Sequence, residues 1–229
     1  MAKIPGFDPN ALIEMFSGAS AKQGEQLRQA VAQATLQALQ GRELSLKNIR
    51  TALKTVTEAA SAGAMKNVMP GVDVESLLDS AVAGMDDALL KAVDANRVAL
   101  QQFVSQGADL REKHLKKALD DLDKMEDTFI ASLKKASDDA ASPLAGAWAQ
   151  VLGKLQAGGT MSGQQAATTA EQFTNQIQQM QQTFREGRAA SLRAAQGLAE
   201  SYTALVSGVL IGMSDALQQG GSAGKAKKK

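Results

Sequence analysis

Ser132 and Lys135 stand three residues apart in Ser132-Leu133-Lys134-Lys135, the spacing at which a lysine serves a serine nucleophile in acyl-transferring enzymes. That chemistry also needs Ser-Asp-Asn and Lys-Thr-Gly elements, and the chain has neither. In a Lys-rich polar helix such a match arises by chance. Gly158 and Gly163 have the spacing of the two glycines of a phosphate-cradling P-loop. The next positions must then be Lys and Ser or Thr, but they are Gln164 and Gln165, and no strand precedes them. A helix–helix connection explains these glycines better. His114 is the only histidine and there is no cysteine, so a zinc site lacks ligands. Asp120, Asp121, Asp123, Glu126 and Asp127 crowd together without the glycine turn of a calcium loop. Lys116 with Asp120 and Lys117 with Asp121 are four apart, which reads as a solvated, ion-paired helix face. No constellation supports catalysis, and no cofactor or metal is expected.

The elements that would position any site are helices. Ala, Leu, Gln and Lys dominate, strand formers are sparse, and aromatics are only 3% of residues. The four prolines, at 5, 9, 70 and 143, leave three long stretches free to be helical. The fold class is therefore all-α: an elongated helical bundle with coiled-coil-like stripes and a long C-terminal helix.

Residues 1–20 read as a lead-in. Within it Asp8-Pro9 starts a short amphipathic helix through Leu12, Ile13 and Phe16 that ends at Gly18. A bundle region, 21–157, follows. Its first helix runs from about Lys22 to Gln40, with Gly41 as the stop. Ser45 opens the next, with Leu46, Ile49, Leu53, Val56 and Ala60 on one face, and Met69-Pro70-Gly71 closes it. Asp73 starts another, whose face includes Leu77, Ala81, Met85, Leu89 and Leu100. From Asp109 to Ala141 charge dominates around Leu115, Leu119, Leu122, Met125, Phe129 and Leu133. Ser142-Pro143 restarts a helix bearing Trp148, Val151, Leu152 and Leu155. Gly158 to Gly163 is the clearest loop.

From Gln164 to Gln219 one apolar ladder runs without proline. Its rungs include Phe173, Ile177, Met180, Phe184, Leu198, Tyr202, Leu205, Val209 and Gly212, mostly three or four residues apart. As a single helix it would be roughly 80 Å long, and its stripe would need other helices, another copy of the chain or an apolar surface. Within it, Ser201 to Ser214 is free of charge but too short for a bilayer, which needs about 20 residues. Gly208 and Gly212 form a Gly-x-x-x-Gly pair that lets backbones approach closely. Residues 220–229 are a glycine- and lysine-rich tail ending in Lys225, Lys227, Lys228 and Lys229.

Charge and composition narrow the function further. The net charge is +1, so no global field attracts nucleic acid or membrane. Without cysteine there is no disulfide framework. Pro5 and Asp8 interrupt what a signal peptide would need, which makes the cytoplasm the expected compartment.

The cysteine-free helical chain, its Ala, Gln and Lys richness, the Phe173–Ile177–Met180–Phe184 stripe and the Ala223-Gly-Lys-Ala-Lys-Lys-Lys tail together resemble the phasins, bacterial proteins that coat polyhydroxyalkanoate storage granules. The resemblance implies a non-catalytic structural protein that coats a polyester surface through amphipathic helices and self-associates. It places the chain at granules in the cytoplasm. A second reading is an oligomeric coiled-coil scaffold or adaptor with no granule role, its partner another copy of itself. A third uses the lysine tail as an arm on nucleic acid. No aromatic or arginine lies near that tail, so specific nucleic-acid recognition is not expected, and neither is a transmembrane span.

Overall fold

A computed structural model describes residues 8–20, 23–40, 42–67, 72–105 and 113–186 of the chain. Among them are eight helices: α1 (Pro9–Ser17), α2 (Gly24–Leu39), α3 (Leu46–Lys66), α4 (Val74–Ser105), α5 (Lys113–Asp123), α6 (Met125–Asp138), α7 (Ser142–Gly158) and α8 (Met161–Glu186). No described residue is in a strand, and the protein is an all-α bundle.

The local signals act as their chemistry dictates. Asp8 caps α1 by accepting from the Asn10 N–H at 2.9 Å, Pro9 occupies the first turn, and Gly18 ends the helix. Ser45 accepts from the Asn48 N–H at the start of α3. Asp73 accepts from the Glu75 N–H at the start of α4. Pro143 lies in the first turn of α7. Gly159, with φ +70°, turns the chain out of α7 in a conformation that side-chain-bearing residues disfavour.

α4 is the centre of the bundle. Its 32 residues span roughly 48 Å at 1.5 Å each. Adjacent pairs such as Leu77–Leu78, Ala81–Val82, Ala88–Leu89 and Leu100 with Ala99 are all buried, so the apolar surface is far wider than one stripe. α2 packs along it, and α7 and α8 cover other parts. α1 lies on α3, α6 bridges α3 and α7, and α5 lies against α8.

Leu12 and Phe16 of α1, and Ala166, Ala170, Phe173 and Ile177 of α8, belong to the same hydrophobic core as α2–α7. The described residues thus pack as one body, with α1 as a core member rather than a lead-in. Beside the leucines, phenylalanines and Trp148 of this core, alanines such as Ala38, Ala59, Ala60, Ala81, Ala88, Ala92 and Ala99 are fully buried. Two glycines bring helices unusually close. A Cβ built on Gly84 would lie 2.4 Å from the Arg28 carbonyl oxygen of α2, and one on Gly63 would lie 2.5 Å from Phe16 Cβ of α1.

Two boundaries differ from the sequence reading. The charged segment is two helices, broken at Lys124 (φ −94°, ψ 8°) with neither proline nor glycine present. The Gly158–Gly163 loop is shorter than expected: only Gly159 and Thr160 are outside helices, and Met161, Ser162 and Gly163 form the first turn of α8. Gly41, Met69-Pro70-Gly71, Gly107 and all residues after Glu186 lie outside the described residues.

Candidate functional site

The residues that sequence reasoning places at a contact site fall into two groups. Phe173 and Ile177 sit on α8 and are buried, the second completely. Met180, half-buried, packs against the same core. α8 meets α4, α5 and α6, so the first rungs of the ladder are spent inside the chain. Of the neighbours open to this stripe (other helices, another copy of the chain or an apolar surface), Phe173 and Ile177 take the first, within the same chain. Phe184 falls within α8, but its side chain is outside the described residues. So are Leu198, Tyr202, Leu205, Gly208, Val209 and Gly212, together with Lys225, Lys227, Lys228 and Lys229.

The start of α8 explains why the glycine-rich turn is not a phosphate cradle. Its N–H groups are already satisfied by two carboxylates and a hydroxyl of this chain. Asp86 of α4 accepts from the N–H of Met161 at 3.0 Å and of Ser162 at 2.9 Å. Glu126 of α6 accepts from the Thr160 N–H at 2.8 Å, and Thr160 Oγ1 accepts from the Gly163 N–H at 2.8 Å. A carboxylate at a helix N-terminus is stabilised both by these donors and by the helix dipole. Gly163 permits the arrangement sterically, because a Cβ there would lie 2.6 Å from Glu126 Cβ.

The other acidic residues of α4 are used in the same way. Arg28 of α2 forks Asp87 with two hydrogen bonds, at 2.6 and 2.8 Å. That hydrogen bonding, with the charge of Asp87, raises the arginine pKa above its ordinary value. Lys154 of α7 reaches both Glu75 and Asp79 at 2.6 Å. Its pKa is pushed up chiefly by the hydrogen bond to Asp79 and then by that to Glu75. Asp94 pairs with Arg97 on α4 itself at 3.7 Å. Glu75, Asp79, Asp86 and Asp87 of α4 are thus attachment points for α7, α8 and α2. Such half-exposed pairs contribute little individually.

The remaining chemical candidates resolve into structure too. The Ser132 hydroxyl donates to the Thr128 carbonyl at 2.7 Å, and Lys135 is exposed. His114 is exposed on α5. Lys117 pairs with Asp121 at 2.7 Å and reaches Glu43 at 3.7 Å; the Asp121 hydrogen bond is the main cause of its raised pKa. Lys116 and Asp120 do not close to ion-pair distance. Among the described residues no group of three or more His, Asp or Glu side chains is disposed to hold a metal ion.

Sequence reasoning missed several positions that organise the bundle. Ser61 of α3 is one: its Oγ accepts from Nε1 of the fully buried Trp148 at 3.1 Å, a partner that the helix face bearing Trp148 did not reveal. Asn67 donates through Nδ2 to the carbonyls of Phe16 and Ala19 at 2.8 and 2.9 Å, closing the end of α1. Gly63 and Gly84 did carry a signal, because an interior helical glycine costs about 1 kcal/mol unless something requires it.

The fold and these contacts define a helical bundle stitched by ion pairs, with its amphipathic stripes turned inward. The chain belongs to a family of unknown function (DUF6781), whose model matches residues 2–219. No curated protein and no solved structure matches the chain. No described helix is long and apolar enough to cross a membrane.

Proposed function

We propose that this chain is a non-catalytic structural protein of the cytoplasm, in which the bundle is a scaffold and the ladder beyond α8 makes the functional contact. The surface it fits is apolar, such as a polyhydroxyalkanoate granule. The observation that carries this reading is the contrast between the two parts of the ladder. The stripe of Phe173 and Ile177 already has its neighbours within the bundle, while the charge-free run from Ser201 to Ser214 brings Leu205, Val206, Val209, Leu210, Ile211 and Met213 in close succession. The large exposed apolar side chains of the described residues, Met15, Met65, Val98 and Met161, sit on four different helices and form no stripe for a coating surface. The family match also runs through the ladder and stops before the lysine tail.

One observation favours a self-associating scaffold as the second reading. Between Met161 and Thr183 the exposed side chains of α8 include Gln164, Gln172, Gln176 and Gln179, and Glu171 is the only charged residue there. Amides both donate and accept hydrogen bonds, so this face suits another polar helix better than hydrocarbon. The purified chain mixed with polyester particles or phospholipid vesicles separates the readings. Coating predicts co-sedimentation with the particles that Leu205→Asp with Val209→Asp abolishes, with cooperative unfolding of the bundle retained. Removing Ala223–Lys229 leaves that binding nearly intact. A stable oligomer by light scattering that ignores both surfaces sinks the coating reading in favour of the scaffold.

A further inference from the structure

We propose that the cleft between α3 and the α6–α7 corner binds a short, single-chain amphiphile with an anionic head. The cleft encloses about 380 Å3, towards the small end of the range of about 300–1,000 Å3 for small-molecule pockets. Thr57 and Leu144 are buried at its floor, with Ala62 and Ala136 half-buried beside them. Short side chains facing each other from α3 and α6 leave the trough open. Met65, 53% exposed, lies along it; its flexible, polarisable thioether adapts to an alkyl chain.

The three hydroxyls lining the cleft are each already engaged within the protein. The Thr57 hydroxyl donates to the Leu53 carbonyl, Ser132 donates to the Thr128 carbonyl, and Ser61 accepts from Trp148. This disfavours a sugar or nucleotide and favours an aliphatic chain.

The rim selects the head group. Lys54 is paired with Glu58 at 3.8 Å. Arg50 and Lys135, both exposed, make no ion pair among the described residues, and Asp139 is the one unpaired carboxylate on the same rim. Two uncompensated cations against one uncompensated anion favour a negative head, and a guanidinium forks a carboxylate well.

Trp148 supplies the readout. It is the only tryptophan, and its indole N–H is bonded to Ser61, which lines the cleft. The full-length protein is titrated with decanoate and with decyltrimethylammonium, both below micelle formation, while indole emission is followed. Decanoate gives a saturable change, and the cationic amphiphile binds at least tenfold more weakly. Ala136→Leu fills the trough and abolishes the change. Arg50→Gln with Lys135→Gln, at exposed positions that leave folding intact, weakens decanoate tenfold or more and removes the preference between heads. A response that does not saturate, equal affinity for both heads in the unaltered protein, or unchanged decanoate binding by the folded Ala136→Leu protein overturns the proposal. Should Ala136→Leu not fold, the paired glutamine variant decides: decanoate affinity within twofold of the unaltered protein also overturns it.

Discussion

Adding one methyl group at Gly84 is the sharpest test of how this bundle is held together. In an ordinary helix interior Gly→Ala stabilises by about 0.8–1.0 kcal/mol through backbone entropy. At Gly84 the new Cβ would lie 2.4 Å from the Arg28 carbonyl oxygen, 2.9 Å from Val31 Cβ and 3.1 Å from the Ala32 nitrogen. Two of those three atoms are backbone and cannot swing aside, so α2 and α4 must separate by roughly 1 Å to restore normal contact. A buried leucine makes about 40–60 atomic contacts of about 0.1–0.2 kcal/mol each, and a gap of that size forfeits about a quarter to a half of each. With contact number and contact energy at the middle of those ranges, one leucine's share of the seam loses about 2–4 kcal/mol, which leaves a net destabilisation of about 1–3 kcal/mol after the entropic gain. The same separation stretches the Arg28–Asp87 fork. Urea unfolding followed by circular dichroism should show a lower midpoint at unchanged slope, with a melting temperature lower by about 2–12 °C. Gly153→Ala on α7 is the control, because its Cβ meets nothing within 4 Å; it should gain up to about 1 kcal/mol. Shifts of the same sign in the two variants would refute the reasoning.

Three further outcomes follow from the contacts. Asp86→Ala strips two acceptors from the start of α8 and should cost about 0.5–2 kcal/mol, with amide exchange at Met161 and Ser162 speeding up more than at Ile177. Ser61→Ala leaves the buried Trp148 N–H without its acceptor and should cost about 1–3 kcal/mol; a double-mutant cycle with Trp148→Phe should show coupling, and a coupling energy near zero would count against the pairing. Lys154 has a raised pKa in the folded chain, so its contribution is complete below the ordinary lysine value of 10.5 and is lost as pH rises through the higher folded value. The stability gap between the unaltered protein and Lys154→Met should therefore stay level up to that pH and narrow above it in denaturant titrations.

Much of the fold was legible in the sequence wherever the signal was local. Asp8-Pro9 with Gly18, Ser45, Asp73 and Ser142-Pro143 each mark a helix boundary through groups only a few residues apart, and each boundary falls within a residue or two of its mark. The apolar stripes were legible too, since Ile49, Leu53 and Val56, or Leu115, Leu119 and Leu122, need only helical periodicity to be seen. What periodicity cannot carry is the choice of partner. Nothing local to α8 shows that its start at Met161 is secured by Asp86 and Glu126, which are 75 and 34 residues away along the chain. Likewise the ladder at Phe173 and Ile177 looks the same whether its neighbour is another helix of this chain or something outside it. The break at Lys124 has no breaker residue, and nothing in the local structure explains it. Of the candidate contact residues, the sequence identifies an apolar run, and the bundle shows which of its first rungs are already occupied.

Where helices of this leucine-containing core meet at alanine and glycine, the usual pattern of mutational tolerance is inverted. Large-to-small changes are the common danger in a leucine-rich interior, but Ala59, Ala60, Ala81 and Ala88 have little left to remove. Here the damaging direction is growth. Each methylene added at such a buried small residue must displace a neighbouring helix, and overpacking of that kind costs typically about 1–3 kcal/mol. A saturation scan should therefore find intolerant positions among the buried leucines and aromatics and also among these smallest residues. Bulky, hydrophobic replacements should be rejected there, while exposed glutamines and lysines exchange freely. What a descendant of this chain must preserve along those seams is shortness of side chain, more than its hydrophobicity.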